Sequence, residues 1–118
     1  MELTLTQPVR FIATDVDGTL VQTDKSVSLA SVKAIHRALE AGLKVAIASG
    51  RAWNEMDEIF EKVPEVRYFI CTNGAIVMDK VTNQCLYHEQ MDKAKALDLV
   101  ERLKAYDISV EAYVEATI

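Results

Sequence analysis

The chain has 118 residues, of which 50% are hydrophobic and 26% are charged. This composition is typical of one globular domain and excludes an intrinsically disordered chain. The net charge of −5 argues against nucleic acid or an acidic membrane surface as a partner, because both require clustered Lys and Arg.

The two cysteines, Cys71 and Cys85, are isolated and form no CxxC motif. We therefore expect reduced thiols rather than a zinc site or a disulfide. The first ten residues lack the apolar core of a secretory signal, and no apolar run approaches the length of a membrane span. These features predict a cytoplasmic protein without a membrane partner.

The first half of the chain alternates between strand and helix patterns. A nearly continuous apolar run predicts a strand over residues 9–14 that is buried on both faces. Apolar residues at helical spacing then predict a helix that begins at Ser26 or Ser28 and ends at Gly42. A second buried strand is predicted over residues 43–48.

The alternation continues through a second helix and a third strand. Trp53, Met56, Phe60 and Val63 mark one face of a helix that ends at Pro64, and residues 67–72 form the next apolar run. Three strands separated by two helices predict an α/β fold with parallel strands and right-handed crossovers.

The pattern changes after Gly74. Residues 75–78 and 85–89 flank a turn-rich segment and predict a β-hairpin. Asp92 then caps a third predicted helix, and alternating apolar residues predict a half-exposed strand over residues 108–114.

Each of the three predicted parallel strands ends in a polar or glycine-containing cluster. The clusters are Asp15-Val16-Asp17-Gly18-Thr19, Ser49-Gly50-Arg51 and Asn73-Gly74. Because the carboxyl ends of parallel strands lie side by side, we expect the clusters to line one crevice. Such a crevice suits phosphate chemistry, since carboxylates can hold a cation or attack phosphorus while hydroxyls and amides bind oxygens.

The three clusters resemble a known family. Asp15-Val16-Asp17-Gly18-Thr19-Leu20 resembles motif I of the haloacid dehalogenase (HAD) superfamily, and Ser49-Gly50-Arg51 resembles motif II. Thr72-Asn73-Gly74-Ala75 followed by a hairpin is similar to the Cof-type, sugar-phosphatase-like branch (subfamily IIB). The resemblance implies part of a Rossmann-like three-layer α/β/α core over residues 1–90 and the first α-β unit of a cap over residues 91–118.

The resemblance also implies catalytic roles for the first cluster. Asp15 would be the nucleophile that forms an aspartyl-phosphate, and Asp17 would be the general acid/base. The family's cofactor is Mg²⁺, which the Asp15 carboxylate and the Asp17 backbone carbonyl would hold. Thr19 would hydrogen-bond the phosphoryl group, with Gly18 in the same loop.

The other two clusters would complete the phosphate pocket. Ser49 would hydrogen-bond the phosphoryl group, Gly50 and Arg51 would shape its loop, and Asn73 and Gly74 would line the pocket entrance. Two simpler interpretations remain open, in which Arg51 only pairs with an acidic neighbour and Asn73 only forms a turn. His36 and His88 are interpreted as exposed residues rather than ligands.

The family's later motifs have no counterpart in these 118 residues. No lysine occupies the motif III position, and no Gly-Asp pair with trailing acidic residues matches motif IV. The resemblance therefore implies a truncated phosphatase. Its catalysis would be severely impaired, because without the motif III lysine the carboxylates and a phosphate dianion repel one another with little compensation. An exposed first strand and the strand over residues 108–114 would then favour a homo-oligomer.

Two alternatives to the truncated Mg²⁺-dependent phosphatase remain open. The chain could be a non-catalytic, oligomeric domain that binds phosphate or a protein. It could also be a phosphoacceptor domain whose turnover depends on another chain. The expected ligand is a small phosphorylated metabolite, with sugar phosphates as the default that the family resemblance implies.

Overall fold

A computed structural model describes residues 6–114, so the outermost residues of the two predicted domains lie outside the described part. Eight helices and strands follow one another there, with 3-10 turns at Trp53–Glu55 and Thr72–Gly74. In chain order they are β1 (Phe11–Asp15), α1 (Leu29–Glu40), β2 (Lys44–Ala48), α2 (Asp57–Lys62), β3 (Tyr68–Cys71), β4 (Ile76–Asp79), β5 (Gln84–His88) and α3 (Lys93–Leu103).

The strands form one five-stranded sheet in the order β1-β2-β3-β4-β5. The first three strands are parallel, whereas β4 and β5 are each antiparallel to the strand before them. The parallel half and the hairpin agree with the sequence prediction. This topology brings the carboxyl ends of β1, β2 and β3 to the same edge of the sheet.

Helix α1 begins and ends at the predicted residues. The Ser28 side chain accepts a hydrogen bond from the Ser31 N–H at 3.1 Å, which satisfies one of the free donors of the first turn. The helix stops before Gly42, whose φ of 85° suits glycine.

The hydrophobic core lies on one face of the sheet, between β2, β3 and the two helices that connect the parallel strands. From α1, Ile35 and Leu39 pack against it. Because the residues of α1 and α2 join the same cluster, both helices cover the same face. The buried cluster consists of Val16, Leu20, Val21, Val45, Ile47, Met56, Ile59, Val63, Val66, Phe69 and Cys71.

The second predicted helix is interrupted. A 3-10 turn at Trp53–Glu55 precedes α2, which spans only Asp57–Lys62 and ends before Pro64. The expected apolar face is still present, because Trp53 packs against Phe60 with ring centroids 4.9 Å apart. The continuous helix over this stretch was therefore a wrong prediction, although its apolar residues do pack inward.

Strand β1 is exposed, and the prediction that it is buried on both faces is wrong. Phe11 and Ile12 are 51% and 38% exposed, because β1 is the edge strand of the sheet and, among the described residues, pairs only with β2. The exposed apolar edge that the family resemblance implied is present.

The end of the described chain contains no strand, so the strand predicted over residues 108–114 is also wrong. Helix α3 begins at its predicted cap, Asp92, whose side chain accepts from the Lys95 N–H at 3.1 Å. The following segment is irregular, and Ile108 and Val110 remain 56% and 44% exposed. Alternating apolar residues do not form a strand without a neighbouring strand to supply hydrogen bonds.

Among residues 6–114, no helix has the length and apolar character needed to cross a membrane. Cys71 and Cys85 are free thiols, as predicted. Burial raises the pKa of the Cys71 thiol to about 11, so this cysteine acts as a protonated, apolar part of the core.

Candidate active site

The ends of the three parallel strands meet at one edge of the sheet. Asp15, at the end of β1, is in register with Ala48 at the end of β2, and Ala48 is in register with Ile70 of β3. An open pocket of about 300 Å³ lies at this edge. Its lining residues are Asp15, Ala48, Ser49, Gly50, Ile70, Asn73 and Gly74.

Asp15 presents an exposed carboxylate to this pocket. The chain turns sharply after it, because the N–H groups of Thr19 and Val21 both donate to the carbonyl of Val16, at 3.2 and 2.9 Å. Gly18 has a φ of 77°, which this turn requires. The turn brings the Thr19 hydroxyl within 3.4 Å of Asp15 Oδ2, where it is a weak hydrogen-bond donor. Thr19 therefore contacts the Asp15 carboxylate but does not itself line the pocket.

Asp17 is held by Arg51. The guanidinium donates from Nη2 to Asp17 Oδ1 at 2.7 Å and from Nε to Oδ2 at 3.2 Å, a two-point contact. These hydrogen bonds lower the pKa of the Asp17 carboxyl below its usual value. Glu58 lies 3.7 Å from the same guanidinium. Arg51 thus pairs with an acidic neighbour, as in the simpler of its two predicted roles. It is not among the residues that line the pocket.

The loop after β2 is fixed by its own hydrogen bonds. Ser49 is buried, with 7% of its surface exposed, and its N–H donates to the carbonyl of Ile70 at 2.8 Å. Its hydroxyl oxygen accepts from the Arg51 N–H at 3.0 Å. The side chain of Ser49 is thereby oriented at the pocket wall.

The loop after β3 has an unusual backbone. Thr72, Asn73 and Gly74 have φ angles of 49°, 54° and 96°, in the left-handed region that residues with a Cβ disfavour. The N–H of Thr72 donates to the Arg51 carbonyl at 2.9 Å, and that of Asn73 donates to the Ser49 carbonyl at 3.2 Å. The two loops are therefore bonded directly to each other.

A divalent cation finds only part of a ligand set here. Within residues 6–114 no group of three or more His, Cys, Asp or Glu side chains is arranged to hold a metal. The exposed Asp15 carboxylate and the Asp17 carbonyl are hard oxygen ligands of the kind that Mg²⁺ prefers, and Mg²⁺ keeps several waters when few protein ligands are present. The residues thus fit Mg²⁺ as part of its coordination shell.

The structure separates the predicted site residues into two groups. Five line the pocket, and the remaining four lie beside it. Ala48 and Ile70 also line the pocket but were not predicted, although both stand at the strand ends that precede the polar clusters. The five predicted lining residues are Asp15, Ser49, Gly50, Asn73 and Gly74, and the four others are Asp17, Gly18, Thr19 and Arg51.

The sequence is similar to those of known phosphatases. Two curated relatives are Phosphatase YwpJ of Bacillus subtilis (strain 168), 31% identical over 93% of this chain, and Pyridoxal phosphate phosphatase YbhA of Escherichia coli (strain K12), 33% identical over 90%. The chain spans only 38% and 39% of the lengths of these two relatives.

Solved structures agree on the fold. A haloacid dehalogenase-like hydrolase from B. subtilis superposes with a TM-score of 0.73 at 33% identity, covering 82% of this chain and 34% of that chain. A subclass IIB sugar phosphatase of the HAD superfamily has the same fold at a TM-score of 0.68 and 22% identity, covering 82% of this chain and 38% of its own. The family model for haloacid dehalogenase-like hydrolases matches residues 12–118, and the chain belongs to that family.

Proposed function

We propose that this protein is a phosphatase that transfers a phosphoryl group to Asp15. One observation carries the proposal: the exposed Asp15 lines the same pocket as Ser49 and Gly50, at the adjacent ends of β1 and β2. A carboxylate oxygen of Asp15 attacks phosphorus, the bond to the substrate oxygen breaks, and an acyl phosphate forms. Water then attacks that phosphorus and releases inorganic phosphate and the free Asp15 carboxylate.

Asp17 is the proposed acid/base for these two steps. It gives a proton to the departing substrate oxygen and later takes one from the attacking water. The contact with Arg51 lowers the pKa of Asp17, which keeps this carboxyl deprotonated and leaves it without a proton for the first step. We therefore propose that an incoming phosphate dianion competes for the Arg51 guanidinium and frees Asp17 to carry a proton.

Mg²⁺ is the proposed cofactor, held by the Asp15 carboxylate and the Asp17 backbone carbonyl. When bound, it would offset the negative charge of the phosphoryl oxygens. Ser49 and Thr19 are the proposed hydroxyl donors to the phosphoryl group. Asn73 and Gly74 border the side of the pocket that the rest of the substrate would occupy.

The described residues supply one half of the proposed site. The relatives are more than twice as long as this chain, and we propose that a lysine and further carboxylates come from polypeptide outside these 118 residues, with α3 as the start of a cap (residues 91–118) on a core (residues 1–90). The proposed substrate is a small phosphorylated metabolite. Relatives named HMP-PP phosphatase and Pyridoxal phosphate phosphatase support this class, with sugar phosphates as another member.

Phosphoryl transfer to Asp15 can be tested separately from turnover. Acetyl phosphate is a suitable donor, because acetate leaves without needing a proton from Asp17. With Mg²⁺ present, we expect mass spectrometry to locate one added phosphoryl group on Asp15, absent in Asp15→Asn and retained in Asp57→Asn, a matched exposed aspartate on α2. No Asp15-dependent label would contradict the assignment of the nucleophile.

Turnover tests the half-site. With an aryl phosphate and Mg²⁺, we expect the 118-residue chain to show no sustained release of phosphate, because the carboxylates and the phosphate dianion repel one another without a compensating lysine. Sustained turnover that Asp15→Asn abolishes would support the phosphatase and overturn the half-site proposal.

We also propose that copies of the chain associate through the free edge of β1, where Phe11 is 51% exposed, because an apolar edge strand can pair with another chain. Light scattering coupled to size-exclusion chromatography tests this association. Phe11→Lys should shift the protein toward monomer, whereas Leu97→Lys, at an equally apolar exposed position on α3, should not. A wild-type chain that stays monomeric at high concentration would overturn the proposal.

A cytoplasmic location is also proposed, and the free thiols of Cys71 and Cys85 support it.

A further inference from the structure

The loop after β3 holds two consecutive residues with side chains in the left-handed region, Thr72 (φ 49°) and Asn73 (φ 54°). Asparagine tolerates this conformation better than most residues, whereas a β-branched threonine there is a clear outlier. Such a conformation persists only where its surroundings impose it. The contacts of this loop show what imposes it.

The left-handed backbone turns two N–H groups toward the loop after β2. Thr72 donates to the Arg51 carbonyl at 2.9 Å and Asn73 donates to the Ser49 carbonyl at 3.2 Å. In the opposite direction, the Ser49 N–H donates to Ile70 at 2.8 Å. Three backbone hydrogen bonds thus fix both ends of the Ser49–Arg51 segment to β3 and its exit.

The side chains of the two residues do not account for this arrangement. The Thr72 hydroxyl is buried and has no hydrogen-bond partner among the described residues. The Asn73 amide stands against Gly50, where a Cβ would lie only 3.0 Å from Asn73 Oδ1. The side chain therefore fills space beside the loop, and the backbone makes the bonds.

We propose that Thr72 and Asn73 are positioning residues, whose left-handed backbone holds Ser49 and Arg51 in place for phosphate and for Asp17. The part that concerns phosphate rests on the proposed function. The part that concerns the loop rests only on the hydrogen bonds above. Neither residue needs to touch the reacting atoms.

Asn73→Ala is the test, because alanine keeps the N–H but disfavours the left-handed conformation. Asn83→Ala is a matched control, since Asn83 has a φ of 55° in the β4–β5 turn and makes no contact with the Ser49–Arg51 loop among the hydrogen bonds of residues 6–114. Asn73→Gly restores the backbone freedom without the side chain. Amide NMR signals of Gly50 and Arg51 report the loop, and a titration with inorganic phosphate and Mg²⁺ reports the pocket.

We expect Asn73→Ala to shift the Gly50 and Arg51 signals and to weaken phosphate binding by roughly tenfold, the equivalent of one left-handed backbone penalty. Asn73→Gly should recover the Arg51 signal and most of the phosphate affinity, whereas the Gly50 signal will still differ because the Asn73 amide beside it is lost. Asn83→Ala should change none of these. Unchanged loop signals in a folded Asn73→Ala variant would overturn the proposal. Equal loss in the Ala and Gly variants would also overturn it, because the side chain would then be responsible. If wild-type protein binds no phosphate, the loop signals alone decide this inference, and the labelling of Asp15 by acetyl phosphate decides the proposed function.

Discussion

Strands β1 and β2 have similar sequences and different environments. Each is a short apolar run followed by a polar cluster, yet Val45 and Ile47 of β2 are 2% and 0% exposed, whereas Phe11 and Ile12 of β1 are 51% and 38% exposed. Strand β2 has neighbours on both sides and helices over one face, whereas β1 pairs with β2 alone in the part of the chain that the structure describes. An apolar run therefore reports a strand's capacity for burial, and the neighbouring strands decide whether burial occurs.

The same difference separates the loops that follow these strands. The loops after β2 and β3 are bonded to each other through the backbone, from Thr72 to Arg51 and from Asn73 to Ser49. Among the hydrogen bonds of residues 6–114, the loop that carries Asp17 is connected to them only through the Arg51–Asp17 pair. The proposed nucleophile and acid/base thus stand on the less constrained side of the pocket, and the proposed phosphate-binding loop on the more constrained side.

The largest expected effect on the free energy of unfolding comes from replacing a phenylalanine in a buried strand, and the matched comparison is a phenylalanine in the exposed edge strand. Phe69 of β3 is completely buried and packs against Trp53 and Phe60, so Phe69→Ala should lower the free energy of unfolding by about 3–5 kcal/mol. Phe11→Ala on β1 should cost less than about 1.5 kcal/mol, since half of that side chain is already exposed. Urea unfolding measures both. Equal losses would show that the edge strand is covered in solution.

A smaller effect is expected at the Arg67–Asp79 pair, which ties the start of β3 to the end of β4. Asp79 is 3% exposed and accepts from Arg67 Nε and Nη2 at 2.9 and 2.6 Å and from the N–H of Val81 at 3.0 Å. Asp79→Asn weakens all three bonds and should lower the melting temperature. Asp98→Asn, which breaks the exposed pair with Arg102 on α3, should lower it much less.

The same pair predicts a pH dependence. The Arg67 hydrogen bonds hold the pKa of the Asp79 carboxyl far below its usual value. A depressed pKa contributes stability that is present above the ordinary carboxyl range and is lost as the pH falls toward the folded-state pKa. From about pH 5 downward, wild-type protein should therefore lose its advantage over Asp79→Asn. A melting-temperature difference that stays constant over this range would contradict the assignment.

The local parts of the fold could be predicted from the sequence. Ser28 caps α1 and Asp92 caps α3 as expected, because a cap depends on residues only three positions away. The hairpin and the parallel order of β1, β2 and β3 also followed from periodicity. Two of the wrong predictions, the buried β1 and the strand over residues 108–114, concern segments whose state depends on strands that are not their sequence neighbours. The third, a continuous second helix, failed locally, where a 3-10 turn precedes α2.

The candidate site divides in the same way. The strand-end clusters indicated Asp15, Ser49 and Asn73 as pocket residues, because parallel topology alone brings them together. The bond between Asp17 and Arg51 spans 34 positions, and no local pattern specifies it. The left-handed backbone at Thr72 was equally hidden, since threonine is among the residues least expected in that conformation.

The smallest expected effect on stability concerns the ionic contact between α1 and the segment before β3, on the sheet face that α1 and α2 cover. His36 Nδ1 lies 2.8 Å from Glu65 Oε1, and Nε2 lies 3.2 Å from Glu40 Oε1. The hydrogen bond to Glu65, aided by the charge of Glu40, raises the pKa of His36. A raised pKa contributes stability that is fully present below the ordinary histidine pKa of about 6.5 and is lost as the pH rises through the folded-state value.

The melting-temperature advantage of wild type over His36→Gln should therefore be larger at pH 6 than at pH 8. Glu65→Gln should remove most of that difference. A pH-dependent advantage that survives in Glu65→Gln would assign it to Glu40, within α1, and the contact would no longer help to hold the covered face together.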